Sequence, residues 1–398
     1  MPFRTRSNTR LWLAPLLLLF AAPAYGQISM QMSNGWTFTF AGNVGTFLVY
    51  EKESANGQIT DPLAVVGSGR QGSAIRSGLL PAFAVLDARG REGNTDLGVH
   101  FGLAPVIQTG GGHDNDTSGT GAGARIDMRQ VYLTVGGSWG QVLAGREIGL
   151  FLRQNILTDQ SLFGVGATGG NFGNPSGTTL GRIGLGYIYP GFNAQITYRT
   201  PLNHPFQLSV GLFDPSTNNG FQQFDLPRLE TEATYTRGPA MGWVGGLVQT
   251  GRDTLLDAGA TAWGLSGGVR AGTSRFSVVV SGYGGRGIGT TTMFRGGRSA
   301  AGTTALRPSH GYLGQLTFTP GGRRLTLAGS YGRSTISNAS DEPEFHLTNS
   351  SISGGGYFQA THSLKVVAEV TWAHANDDNP ATHANDSVTG VGGLMLFF

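Results

Sequence analysis

The sequence predicts an all-β chain closed into a transmembrane antiparallel barrel of about sixteen strands, and three observations predict it. Apolar and polar residues alternate at period two in runs of about ten from Trp36 onward, with almost no helical periodicity. Beyond the first 26 residues no apolar run approaches the ~20 residues that a spanning helix needs. The last alternating run carries on to the final residue, Phe398, as suits two chain ends that pair to close a barrel.

Residues 1–26 read as a secretory leader. Arg4, Arg6 and Arg10 form a basic region, Leu11 to Phe20 a short apolar run broken by Pro15, and Ala24-Tyr25-Gly26 a cleavage site. Residues 27–398 then form a single barrel domain, with no linker or composition shift to divide them. The chain has 27 Lys+Arg against 24 Asp+Glu, and three of the arginines belong to the leader. The remainder is balanced, so the basic pI carries no argument for nucleic acid. There is no Cys, so an exported fold must close by packing and hydrogen bonds alone. Gly is abundant at 66 residues and charge sparse at 13%.

The alternation places strands near 36–50, 78–88, 95–108, 125–135, 140–148, 192–200, 206–213, 227–237, 240–250, 260–270, 275–284, 311–319, 324–336, 350–360, 364–375 and 387–398. In 95–107, Leu97, Val99, Phe101 and Leu103 share one face and Asp96, Gly98, His100 and Gly102 the other. In a soluble sandwich the apolar face would point to a core. Here the polar faces carry charges, Gly and Ser, as a wet lumen would. Aromatics stand at strand ends: Trp36, Tyr50, Tyr187, Tyr189, Phe213, Tyr235, Trp243, Tyr312, Phe318 and Trp372. Such rings suit the membrane–water interface. Backbone in hydrocarbon must satisfy its own polar groups, which strands achieve only in a closed barrel. Long connections follow odd strands and short ones even strands, as outer loops and periplasmic turns do. The stretch 182–189 could itself be a strand, but counting it would invert the loop pattern downstream, so it is kept within the long connection 149–191.

That connection is the one large irregular segment. The preceding hairpin runs from Arg129 to Glu147, and Arg129 shares its side with Val131, Leu133 and Val135. If the chain is a wall around water, residues 149–191 are what the wall encloses.

Four places resemble the general trimeric porins of Gram-negative outer membranes. They are Trp36-Thr-Phe-Thr-Phe-Ala-Gly-Asn43, Gly140-Gln-Val-Leu-Ala-Gly-Arg146, Ala194-Gln-Ile-Thr-Tyr-Arg-Thr-Pro201 with the strand after it, and the terminal Phe398. The resemblance implies a homotrimer in the outer membrane, inserted by the assembly machinery that reads Phe398 with Leu396 and Leu394, and lying among lipopolysaccharide and outer-membrane lipids. It also implies a third outer loop folded into the lumen, its acids facing wall arginines across a constriction that passes small solutes and ions. Carried over to this chain, the constriction would comprise Arg129, Arg146, Glu147, Arg153, Asp159 and Arg199, with Arg125 and Asp127 nearby. The segment 147–191 holds only two acids, Glu147 and Asp159, against Arg153 and Arg182. The ion preference therefore does not follow. Leu396 stands where the family commonly has Tyr.

Other motifs carry less. Gly164-Val-Gly-Ala-Thr-Gly169 matches a dinucleotide fingerprint but lacks the strand before, the helix after and the distal acid. His374-Ala-Asn-Asp377 recurs as His383-Ala-Asn-Asp386 and offers oxygen ligands for a divalent cation, against a solvated loop tip. No nucleophile elbow is present, and no cofactor or metal is called for. Two alternatives stand beside general diffusion: a substrate-selective porin, and a surface adhesin or structural barrel with a blocked lumen.

Overall fold

The computed structural model describes residues 27–107, 126–169, 178–322 and 324–398. The leader and the whole connection 108–125, Arg125 included, lie outside the described residues.

The strands are β1 (Ile28–Gln31), β2 (Thr37–Glu53), β3 (Gln71–Arg76), β4 (Phe83–Glu92), β5 (Thr95–Pro105), β6 (Ile126–Gly137), β7 (Gly140–Ile148), β8 (Phe192–Arg199), β9 (Phe206–Phe213), β10 (Arg228–Arg237), β11 (Ala240–Asp253), β12 (Ala258–Gly272), β13 (Phe276–Arg286), β14 (Pro308–Phe318), β15 (Leu325–Ser337), β16 (His346–Gln359), β17 (Leu364–Asn376) and β18 (Asn385–Phe397). Neighbours along the wall pair antiparallel, with β3 and β4 both pairing β2. β18 returns to β2, from Phe397 opposite Asn43 to Ser387 opposite Glu53, and closes the sheet. Phe398 completes the seam: its N–H donates to Gly42 O at 3.0 Å and its carbonyl accepts from Gly42 N at 2.8 Å. Beyond that point β1 takes over the same edge of β2, Ile28 facing Phe40.

Eighteen strands make sixteen staves, because β1 prolongs the seam and β3 and β4 share one stave. The expected single strand at 78–88 is therefore two pieces. Between them, Pro81 has no N–H to give the ladder. Leu79 N donates instead to Gly164 O at 3.0 Å, and Gly78 O accepts from Thr179 N at 3.2 Å. The stave opens because its backbone pairs with the 149–191 connection rather than with β2. Residues 182–189 form no strand, only isolated bridges such as Ile183 to Tyr187.

The faces are reversed relative to a soluble protein. On β2, Val44, Leu48 and Tyr50 are exposed while Glu51 and Glu53 are buried. The same holds on β18, where Leu394 and Leu396 are exposed and Ser387 and Thr389 are buried. An apolar outer surface and a polar inner one are the arrangement that lipid outside and water inside require. Tyr50, Tyr235, Tyr312 and Trp372 are exposed as expected of interface rings. Tyr187, Phe213 and Trp243 are not: all three are buried. Phe213 and Trp243 share the inward rows of Gly211 and Leu247 on their strands, and Tyr187 belongs to the 149–191 connection.

Candidate functional site

Segment 149–191 contacts staves from most of the circumference. It leaves β7 through a short helix, α1 (Arg153–Leu157), and a 3-10 turn at Gln160–Phe163. At its start, Leu150 N and Phe151 N both donate to one oxygen of Glu230 on β10, at 2.7 and 2.9 Å. Arg153 pairs with Glu232 on the same strand, Nε to Oε2 at 3.2 Å and Nη2 to Oε1. Trp243 on β11 donates its indole N–H to Asn155 Oδ1 at 3.0 Å. Gln315 on β14 donates to Thr158 O at 3.1 Å and accepts from Gln160 N at 2.7 Å. Glu369 on β17 accepts from Val165 N at 2.7 Å and Gly166 N at 3.1 Å. Arg182 donates to Ser330 O on β15 at 2.9 Å and to Ser351 on β16. Thr168 donates to Glu51 on β2.

Glycine supplies the room for these contacts. The phenyl ring of Phe151 lies over Gly264 of β12, where a β-carbon would stand 2.7 Å from Cζ. A β-carbon on Gly332 of β15 would overlap the Leu185 carbonyl oxygen. The Gly164–Gly169 run serves the same end. Gly164 lies against the Glu369 carboxylate, and Gly166 takes φ +58° beside Gly181. The glycine motif thus wraps a wall carboxylate with backbone N–H groups and has no nucleotide geometry.

The six expected constriction residues separate into three groups. Glu147, Arg153 and Arg199 come together. Glu147 is 4% exposed and accepts from both Gln130 Nε2 and Ile148 N. Arg199 shares the inward row of Gln195 and Thr197 and donates to Ser209 Oγ at 3.3 Å. Arg153, Glu232, Glu147 and Tyr132 are its electrostatic neighbours. Along the same inner wall, His100 stacks on Tyr132 at 4.5 Å and meets Asp87 at 3.1 Å, with Arg89 beside them.

Asp159 is occupied inside the connection itself. It caps the 3-10 turn through Ser161 N at 2.9 Å and accepts from Tyr187 OH at 2.6 Å. Among its bonds in the structure none reaches an arginine.

Arg129 and Arg146 depart from the expectation. Arg146 is exposed and stands in register with Val131 and Ala194, on the outer face that carries Leu133 and Ile196. Side chains alternate along a strand, so Glu147 points inward and Arg146 outward. Arg129 is the extra residue of a bulge: Gln130 faces Gly102 while Met128 faces Leu103. Its guanidinium bonds Asp127 at 2.8 Å and lies 5.6 Å from the Phe192 ring centroid, on the face of Ala194 and Ile196. Both arginines are removed from the lumen lining.

The wall acids Glu51, Glu230, Glu232 and Glu369 were missed in the sequence. Each sits at an inward position of an alternating strand, which is the signal that could have found them. The wall contributes these acids, and the connection contributes Arg153, Arg182, Asp159 and backbone N–H groups. In the last outer loop, Asp377 accepts from Asn379 N and Thr382 OH, and His374 meets Asp386 at 2.9 Å. Among the described residues no three His, Asp or Glu converge as metal ligands.

A family model described as Gram-negative porin matches residues 13–378. The fold is similar to the outer membrane channel DcaP of Acinetobacter baumannii, at 15% identity over 93% of this chain and 99% of that one, with a TM-score of 0.67. It is similar to the anion-selective porin from Comamonas acidovorans, at 14% identity over 91% and 100%, TM-score 0.60. It is also similar to Salmonella typhi OmpF, solved in complex with daunomycin, at 11% identity over 93% and 100%, TM-score 0.59. The sequence matches no curated protein significantly.

Proposed function

We propose, for a chain that belongs to the Gram-negative porin family and so forms an outer-membrane channel for passive diffusion of small hydrophilic solutes, that segment 149–191 lies across the lumen and sets its narrowest section. The observation that carries this is the spread of its anchors over β10, β11, β14, β15, β16, β17 and β2. A segment outside the wall, or standing above it, could not reach inward rows on so many staves. The open side is then the inner wall from β4 to β9. Asp87, Arg89, His100, Tyr132, Glu147 and Arg199 line it, faced by Arg153. Radius and lining charge set selectivity in such a section.

The finer features of the protein follow the same reading. Residues 1–26 direct export and are removed. Phe398, with Leu396 and Leu394 on the exposed face, presents the terminal strand to the assembly machinery. Three copies associate among lipopolysaccharide and outer-membrane lipids.

The test separates the two faces. In planar bilayers under a salt gradient, Arg199→Glu shifts the reversal potential toward cations, whereas Arg146→Glu leaves it unmoved. An ion passing about 7 Å from a reversed charge in water gains or loses about 1 kcal/mol, and screening at 0.1 M halves that. Cations and anions move oppositely, so the permeability ratio changes by roughly five- to tenfold. An equal response of both variants would overturn the placement.

A further inference from the structure

The first outer connection, between β2 and β3, is also anchored to the inner wall. Two buried asparagines hold residues 59–66 in place of a neighbouring strand. Asn385, at the start of β18, accepts from Ile59 N at 3.1 Å and donates to Ile59 O and Val66 O, both at 2.9 Å. Asn349, on β16, accepts from Val65 N at 3.0 Å and donates to Leu63 O at 3.1 Å. Both side chains are fully buried on the inward rows of their strands. A side-chain amide offers a donor and an acceptor side by side, so each Asn satisfies backbone groups as a strand edge would.

Under this backbone lies a second apolar cluster. Ile59, Leu63, Val65 and Val66 pack against Ala167 and Leu185 of the 149–191 connection and against Ile336, Leu347, Ala373 and Ala375 of the inner wall. The contact is close: a β-carbon on Gly184 would stand 2.8 Å from Val65 Cγ1. Arg295, from the connection between β13 and β14, reaches Pro62 O at 3.5 Å. The last outer loop joins through His383 N, which donates to Gln58 Oε1 at 3.0 Å.

We propose that residues 59–66 form a second size-limiting element: a cap docked inside the outer mouth on the constriction segment and locked by Asn349 and Asn385. It restricts the channel to solutes smaller than the section below it would pass alone. Seated on an apolar patch of the inner wall, the loop takes up volume that would otherwise belong to the aqueous path. This rests on the reading of the chain as a water-filled channel.

The experiment compares wild type with Asn349→Asp/Asn385→Asp, isosteric changes that remove the donors and place carboxylates against carbonyls. A second variant, Leu63→Gly/Val65→Gly, loosens the cap and leaves both asparagines untouched. Proteoliposome swelling with arabinose, sucrose and stachyose reads the size limit, and planar bilayers read single-channel conductance. Both variants are expected to raise conductance by about half or more and to admit stachyose at several times the wild-type rate, with arabinose little changed. Folded variants with wild-type conductance and size limit would overturn the proposal. So would failure of both to assemble, since the loop would then belong to the barrel's fold. A wild type that never conducts would instead refute the channel reading itself.

Discussion

The strongest prediction concerns Glu232, the wall acid that receives α1. Its two oxygens accept from Arg153 Nε and Nη2 and from Gln154 Nε2. The paired side chains are 5% and 9% exposed, so water cannot replace the lost partner. Glu232→Gln keeps the shape but removes the carboxylate bonded to the buried guanidinium, leaving Glu147 and Glu230 as its more distant countercharges and Arg199 as a like-charged neighbour. Breaking a buried ion pair costs about 3–5 kcal/mol, and the acceptor that Gln retains reduces this toward the lower end. The Glu230 bonds to Leu150 and Phe151 remain, contributing about 1.5–3 kcal/mol each as hydrogen bonds to a charged acceptor. The loss takes away the ion pair of α1 with Glu232 and leaves the helix held by the Glu230 bonds, the Trp243–Asn155 bond and the packing of Phe151, Leu152 and Ile156. The helix should leave its seat for a sizeable fraction of the time, while the wall ladder around it is unaffected. Single-channel recordings of Glu232→Gln should show flicker between the wild-type level and a higher one, with thermal unfolding of the barrel unchanged. A quiet channel at wild-type conductance would refute the claim that this pair positions the constriction.

Two further outcomes follow. Gly332→Ala places a methyl into the Leu185 carbonyl and should destabilise by about 1–3 kcal/mol as an overpacked contact; Gly314→Ala, whose β-carbon meets nothing within 4 Å, should leave the unfolding temperature unchanged. At the outer surface, the hydrogen bond from Arg307 lowers the Glu342 carboxyl from about 4.5 to about 2, helped by the N–H groups of Ala339 and Ala300. A group whose folded value is depressed stabilises above its unfolded value and loses that stabilisation as pH falls through the folded one. Pepsin cleavage near Phe345 should therefore rise as pH drops from about 4.5 toward 2 in wild type, and Glu342→Gln should be cleaved readily throughout that range.

The barrel was legible in the sequence because period two is a local property. The inward and outward rows of β5, β8, β9 and β17 can be read directly from their residues, and the terminal strand through Phe398 announces the seam. Local reading failed where a distant segment changed the geometry. Nothing near Gly78 says that its carbonyl will meet Thr179, so one stave was read as continuous. A single bulged residue at Arg129 resets the parity of β6, and parity alone puts Arg146 on the outer face beside Val131. Asp159 looked like a lining acid because its partners, Ser161 and Tyr187, become visible only once the connection has folded on itself. The acids that do hold the connection lie 78 to 204 residues from their partners in sequence.

The distribution of glycine and of charge then has one explanation. A wall lined by full-sized side chains would have no space for the contacts that the 149–191 connection makes with it. Glycines at inward positions such as Gly264 and Gly332 lower the wall where Phe151 and Leu185 come to rest. The loop's backbone, removed from water, then needs acceptors for its N–H groups, and Glu230 and Glu369 provide them. Those carboxylates are thereby occupied in structure and withdrawn from the aqueous path. The scarcity of acids within 147–191 is thus consistent with the proposed constriction. The acids stand on the wall because their task there is to hold the loop, and on the proposed reading the charges left to face passing ions are those of the β4 to β9 wall.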